Sequence, residues 1–224
     1  MLKVKMSYKI DHLVFGCNNL IEGTSYIEDL FKIKLSNIGY HKTFGTHNRV
    51  LKIGKIYLEI IAIDPLSKVN KKNIFFGLSS DFVQKYILKK PRLVSFVIAS
   101  KFTNNSDFYC KNKYMERGNY KWNFIRPNKK KFDTKIFPYV DIFPSKINWL
   151  SSSPLLEMKD NDLFFDKLIV ELEQNQIYYK TFLEQFNLKE KIIFKVRKKG
   201  ELFKFPKLSA KIVDKRYGKE LVVT

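Results

Sequence analysis

Residues 45–61 read Gly45-Thr46-His47-Asn48-Arg49-Val50-Leu51-Lys52-Ile53-Gly54-Lys55-Ile56-Tyr57-Leu58-Glu59-Ile60-Ile61, two β-branched runs separated by Gly54-Lys55. Two such runs about a two-residue glycine break predict a β-hairpin, with strands over residues 47–53 and 56–63. On the second strand, alternation sends Tyr57, Glu59 and Ile61 to one face and Leu58 and Ile60 to the other. A carboxylate in so apolar a strand is either solvated at an edge or held inside. In the second case it needs a partner or a metal, because a desolvated, unpaired charge costs on the order of several kcal/mol.

Working outward, residues 9–16 form an apolar strand. Ile21, Tyr26, Ile27, Leu30 and Phe31 fall near one face of a helix over residues 21–31, and residues 35–40 are extended. Residues 9–63 therefore read as a β-α-β-β-β unit, which Asp64-Pro65 ends. Residues 66–90 are an excursion with a short helix over 80–88, capped by Ser80 or Asp81. From Pro91 the pattern restarts, with strands over 93–100, 120–126 and 135–143 and a helix over 106–116. A third start gives a strand over 167–173, a helix over 176–186, and extended runs at 191–196, 208–213 and 220–223.

Ile10-Asp11-His12-Leu13-Val14-Phe15 and Phe165-Asp166-Lys167-Leu168-Ile169-Val170 share an Asp followed by an apolar run, and each precedes a helix and three strands. The expected fold class is α+β, with repeated β-α-β-β-β modules forming a curved, cup-like mixed sheet and helices on the outside. The first module spans residues 1–65, a middle segment 66–150 and the C-terminal module 151–224, together one globular domain. The two end modules are expected to pair into one sheet of roughly eight strands around a cavity, with the middle segment completing or covering it.

With 224 residues and 45% hydrophobic content the chain can fill one core. No apolar run approaches the roughly 18 residues that would span a bilayer, and the N-terminus lacks an apolar signal region, so a cytoplasmic location is expected. Cys17 and Cys110 are widely separated and read as reduced thiols without chemistry. The formal charge of +20 raises nucleic acid as a partner. Lysines are scattered along nearly every segment, however, and the short basic runs at 71–72, 89–90, 129–131 and 197–199 sit next to turn residues. That distribution favours a solvated basic surface over a nucleic-acid interface.

Several polar residues carry chemistry. His12 shares a strand face with Ile10 and Val14, opposite Asp11, Leu13 and Phe15, and is either a satisfied core residue or a ligand. His12 and Glu59 lie on the first and last strands of one unit. An imidazole and a carboxylate on the concave side supply two of the three or four donors of a divalent metal, or form an acid/base pair. Thr46, His47, Asn48 and Arg49 at the entry of the hairpin either orient a small polar ligand or hold a local turn. His41 falls on the same rim. No phosphate-cradling glycine loop, paired-cysteine metal knuckle or nucleophile elbow is present.

Ile10-Asp11-His12-Leu13-Val14, the following helix, Gly45-Thr46-His47-Asn48-Arg49-Val50-Leu51 and Tyr57-Leu58-Glu59-Ile60-Ile61 resemble the opening module of the glyoxalase-like domain family of the vicinal oxygen chelate superfamily. The Trp122 strand and Phe137-Pro138-Tyr139-Val140-Asp141-Ile142 are similar to the family's middle segment. The resemblance implies paired modules around a cup, often with a divalent metal that holds vicinal oxygens of a small substrate. It puts His12 and Glu59 at the first-module ligand positions. By the alignment of the two end modules Lys167 stands where the second histidine would be and Val223 or a neighbour where the second carboxylate would be; neither a protonated lysine nor a valine can serve, so a four-ligand centre would need Asp141 or His47 from elsewhere.

The expected function is binding of a small oxygen-rich molecule in the cup. In an enzyme of the vicinal oxygen chelate type, Glu59 is base or ligand and His12 ligand or acid. His47, Asn48, Thr46, Arg49, Trp122 and Asp141 contact the substrate, and one divalent metal ion sits at His12 and Glu59. A non-catalytic resistance- or sensor-like binding protein is the alternative, and a basic nucleic-acid binder the third reading. A homodimer is left open.

Overall fold

The computed structural model describes residues 8–100, 107–188, 191–197 and 206–224. The first module comprises β1 (Tyr8–Gly16), α1 (Leu20–Phe31), β2 (Gly39–His41), β3 (Thr46–Ile53) and β4 (Ile56–Ile63). Asn19 caps α1, its side chain accepting from the Ile21 amide at 2.8 Å, which satisfies one of the free N–H groups at the helix start. The helix buries Leu20, Ile27 and Phe31 against the sheet. It ends where Lys32 turns left-handed, with φ at 54°.

The next strands are β5 (Arg92–Ser100), β6 (Lys113–Arg117), β7 (Tyr120–Ile125) and β8 (Ser145–Trp149). All eight form one sheet in the order β2-β3-β4-β1-β5-β8-β7-β6. The order is the same read outward from the β1·β5 seam in either direction. In each half the opening strand runs parallel to the last strand of its own half, β1 with β4 and β5 with β8, while β1 and β5 meet antiparallel.

This pairing corrects the expected one. The partner of the first module is residues 92–149, not the C-terminal module. β5 is buried along almost its whole length, as a central strand covered on both faces must be. Residues 163–223 form a separate four-stranded sheet from β9 (Leu163–Leu172), β10 (Ile192–Val196), β11 (Lys207–Asp214) and β12 (Lys219–Val223), in the order β10-β9-β11-β12, with α2 (Ile177–Glu184) between β9 and β10. The shared element order at Asp11 and Asp166 is not a shared topology. In the first module the strand parallel to β1 is the last one, whereas in the second sheet the strand parallel to β9 is the one straight after the helix.

Two local expectations also fail. A helix over 106–116 begins outside the described residues, and its remainder holds an isolated bridge at Tyr109 and the strand β6. The strand over 135–143 is instead irregular, with a helical turn at Val140–Ile142. Pro138 and Pro144 cannot donate to a ladder, yet Phe137, Tyr139, Ile142 and Phe143 between and beside them are buried. Lys198 and Lys199 of the last basic run lie outside the described residues. No helix among the described residues is long and apolar enough to cross a membrane.

Candidate active site

The concave side of the eight-stranded sheet holds a cavity of about 60 Å³. The first module supplies most of its polar wall: His12 from β1, His41 from β2, Asn48 from β3, and Tyr57 and Glu59 from β4. The second half supplies Arg117 from the end of β6, Trp122 and Phe124 from β7, and Trp149 from β8. Phe75 and Phe76, from the segment between the halves, close one side.

Glu59 is 4% exposed. Alternation on β4 puts it on the same face as Tyr57, as the sequence reading expects. Its Oε1 accepts from Asn48 Nδ2 at 2.5 Å, and its Oε2 lies 3.5 Å from His12 Nε2. Asn48 and Glu59 are diagonal neighbours on one face of the β3·β4 ladder, whose register pairs Asn48 with Ile61 and Val50 with Glu59.

His12 is held from behind. Its Nδ1 lies 2.7 Å from Asp11 Oδ1, and Asp11 Oδ2 accepts from Trp149 Nε1 at 2.9 Å. Strict alternation places Asp11 on the face opposite His12, and the structure departs from it. The β1·β5 register slips between Ile10 and His12, so Asp11 is the extra residue of a β-bulge, and the bulge re-aims it toward its neighbour. With Asp11 accepting the Nδ1 proton, His12 presents Nε2 to the cavity and to Glu59. The imidazole also stacks on Tyr57, ring centroids 4.5 Å apart at 19°. Burial, with Asp11 and Glu59 beside it, holds the Tyr57 phenol well above its ordinary pKa, so it stays protonated.

His41 closes the circuit. Its Nε2 lies 3.4 Å from Arg117 NH1 and 3.8 Å from Glu59 Oε1, and its Nδ1 lies 3.1 Å from Thr46 Oγ1. A guanidinium only donates, so His41 accepts at Nε2 and carries its proton at Nδ1, toward Thr46. Burial lowers its pKa to about 4, with Arg117 and His12 acting in the same direction and Glu59 opposing. His41 is therefore neutral at physiological pH. Gly39 makes room for this arrangement, since a Cβ there would lie 2.5 Å from Asn48 Oδ1 and 2.8 Å from Arg117 NH1.

The sequence-selected residues divide sharply. His12, Glu59, Asn48 and Trp122 line the cavity, and Thr46 stands behind it as the partner of His41. His47 and Arg49 alternate to the other face of β3: His47 packs against Tyr40 at 6.2 Å, and Arg49 donates to Ser36 O at 2.5 Å. Asp141 is buried elsewhere, paired with Lys129 at 3.0 Å. Arg117, Trp149, Phe75 and Phe76 were not singled out. For Arg117 a signal existed, because Gly118-Asn119 is a two-residue hairpin break that puts Lys113–Arg117 on a strand.

A model of the family described as "Glyoxalase-like domain" matches residues 10–180. The chain belongs to this family. Its eight-stranded half-barrel, with a second sheet and few helices, is a vicinal oxygen chelate-type fold. Among solved structures it is similar to a hypothetical protein from Staphylococcus aureus at 14% identity, over 97% of this chain and 85% of that one, with a TM-score of 0.55. A methylmalonyl-CoA epimerase from Mycobacterium tuberculosis matches at 11% identity, over 70% and 97% of the two chains, with a TM-score of 0.42. A methylmalonyl-CoA epimerase from Streptomyces coelicolor matches at 12% identity, over 66% and 100%, with a TM-score of 0.41. No curated protein sequence matches.

The superfamily implies a divalent metal held by paired ligands from both halves of the sheet, and among the described residues the second half does not supply its pair. The strands equivalent to β1 and β4 are β5, RLVSFVIAS, and β8, SKINW, and neither contains His, Asp, Glu or Cys. Among the described residues no group of three or more such side chains is disposed to hold a metal ion. Arg117, a fixed cation, reaches His41 in the same cavity. The donor set fits proton transfer beside an anion better than it fits metal chelation.

Proposed function

We propose that the cavity binds a small oxygen-rich anion and moves a proton at a carbon beside its carboxylate or carbonyl. The observation that carries this reading is the Glu59 carboxylate, withdrawn from water between Asn48 and His12, with Arg117 in the same cavity. In the proposed step Glu59 takes a proton from the substrate carbon as the C–H electron pair becomes a carbon–carbon double bond and the carbonyl π pair moves onto oxygen, forming an enolate. Arg117 faces the developing oxyanion charge, a term worth several kcal/mol where water is excluded. The proton returns to carbon from Glu59 or, once Glu59 has passed it across the 3.5 Å approach to the unprotonated His12 Nε2, from that nitrogen. Asn48 holds Glu59 in one rotamer, and Asp11 fixes the His12 ring.

Deuterium incorporation from D2O into pyruvate, oxaloacetate, malonate and lactate, followed by proton NMR, tests the reading. Wild-type protein is expected to exchange at least one of them, and Glu59→Gln to be slower by roughly 100-fold or more, with its melting temperature little changed. Equal rates in the two proteins would refute the assignment. The missing second ligand pair also suits a non-catalytic binding protein, which predicts saturable quenching of Trp122 and Trp149 by one of these anions without exchange.

A further inference from the structure

We infer that a second, basic cleft on the far side of the Phe75–Gly77 turn binds a small molecule carrying two or more phosphate groups. The cleft encloses about 660 Å³ and is lined by Lys71, Lys72, Arg126, Lys129 and Lys130. Pockets of this size accept whole cofactor- or metabolite-sized ligands. It is distinct from the Glu59 cavity, with which it shares no lining residue. Phe75 and Phe76 face the one, while Ile74 and Gly77 line the other.

The charge balance of the cleft points to a polyanion. Asp141, its buried acid, is already matched by Lys129 at 3.0 Å. Gly77 presses on that carboxylate, since a Cβ on this left-handed residue, φ +60°, would lie 2.6 Å from Asp141 Oδ2. Asp81 remains as a single opposing charge, so the four other cations exceed what one carboxylate would neutralise. Arg126 is the most constrained of them, half-buried with its guanidinium 5.5 Å from the centre of the Phe44 ring. Its planar fork suits two phosphate oxygens, and the lysines add mobile point charges around them. Asp81, the unmatched acid in the wall, disfavours a continuous nucleic-acid backbone, which would run like charge past it, so a compact diphosphate is the better fit.

Cys110 supplies the readout. Its thiol lines the cleft and is exposed, whereas Cys17 is buried with its thiol pushed up to about 12, chiefly by burial, and is silent to alkylation near neutral pH. The experiment follows iodoacetamide labelling of the whole protein by intact mass as inorganic pyrophosphate is titrated. Pyrophosphate is expected to slow Cys110 labelling saturably. In the double variant Lys72→Gln/Lys130→Gln, both at exposed positions, the half-protecting concentration should rise by roughly tenfold or more. The equal-charge control Lys55→Gln/Lys219→Gln should match wild type. Absence of saturable protection, or an equal shift in the control, overturns the proposal. Stronger protection by a single-stranded oligonucleotide than by pyrophosphate also overturns it, in favour of a nucleic-acid surface. None of these outcomes depends on Glu59 chemistry.

Discussion

Acid should weaken this fold through His41, by an amount that follows from its surroundings. The ring is buried, its side chain only 9% exposed, and its pKa falls from 6.5 to about 4, with burial the largest cause. Between these two values the unfolded chain binds a proton that the folded protein refuses. Stability therefore rises with pH across that window and is lost on acidification. At pH 7 both states are nearly unprotonated at this ring and the penalty is a few tenths of a kcal/mol. At pH 5 it grows to roughly 2 kcal/mol, and below pH 4 it saturates near 3 kcal/mol. His41→Gln removes the titrating group and keeps an amide oxygen that can accept from Arg117. Urea denaturation at pH 5 and pH 7 should show wild type losing about 1.5–2 kcal/mol more than the variant over that interval. Every other ionisable group is common to both proteins, so the difference reads His41. An identical pH dependence in the two proteins would refute the assignment of a buried neutral His41.

Asn48→Ala removes the donor to Glu59 and should cost about 1–3 kcal/mol, the penalty of leaving a buried charged acceptor unmatched. Asn48→Asp should cost more at pH 7.5, where it sets two carboxylates within hydrogen-bond distance, and the gap between the two variants should narrow toward pH 5 as one proton becomes shared, measured by urea denaturation. Gly39→Ala drives a methyl to within 2.5 Å of Asn48 Oδ1 and 2.8 Å of Arg117 NH1, so both the Asn48 amide and the guanidinium end must shift. The expected outcome is a lower melting temperature, as for Asn48→Ala, together with clearly weaker binding of malonate, read by tryptophan fluorescence, since both tryptophans of the chain line the cavity.

The first module was legible because its signals are local. The alternation around Glu59, the Gly54-Lys55 turn and the run after Asp11 each fix an element within a few residues. What the pattern does not encode is which opening strand pairs with β1, since that choice depends on burial of both faces across residues 80 positions apart. The resemblance between residues 10–15 and 165–170 pointed to the wrong partner for this reason. Within the site, alternation brought Glu59, Tyr57 and His12 to one face and would have separated His12 from Asp11. The bulge that joins them adds one residue to a strand without any sequence mark such as glycine or proline. On β3 alternation lets only one of His47 and Asn48 face the cup; the sequence reading takes both, and the structure puts Asn48 in the cavity. The Gly118-Asn119 break marks the strand that ends at Arg117, but its approach to His41, like the Phe75–Phe76 turn, enters only through tertiary folding.

The two halves of the sheet share a topology but not a chemistry, and the division bears on what the cup can do. Every acid or base that lines the cavity comes from the first module, while the second contributes Arg117, Trp122, Phe124 and Trp149. A two-half metal centre would need ligands on β5 and β8 as well as on β1 and β4. Here the second-half positions on β5 and β8 carry hydroxyl, amide, lysine or apolar side chains instead. A positive charge at the cavity repels a divalent cation and attracts an anion, and aromatic walls exclude the water that would screen either interaction. The carboxylate opposite that charge then needs the guanidinium to be shared with a ligand rather than consumed by an ion pair. Among the described residues no carboxylate pairs with Arg117, whose polar contact is the neutral ring of His41. On the proposed reading the neutral state of His41 matters twice: a protonated ring would repel Arg117 beside it, so the acid-sensitive residue of the fold is also the one that lets the guanidinium stay at the cavity.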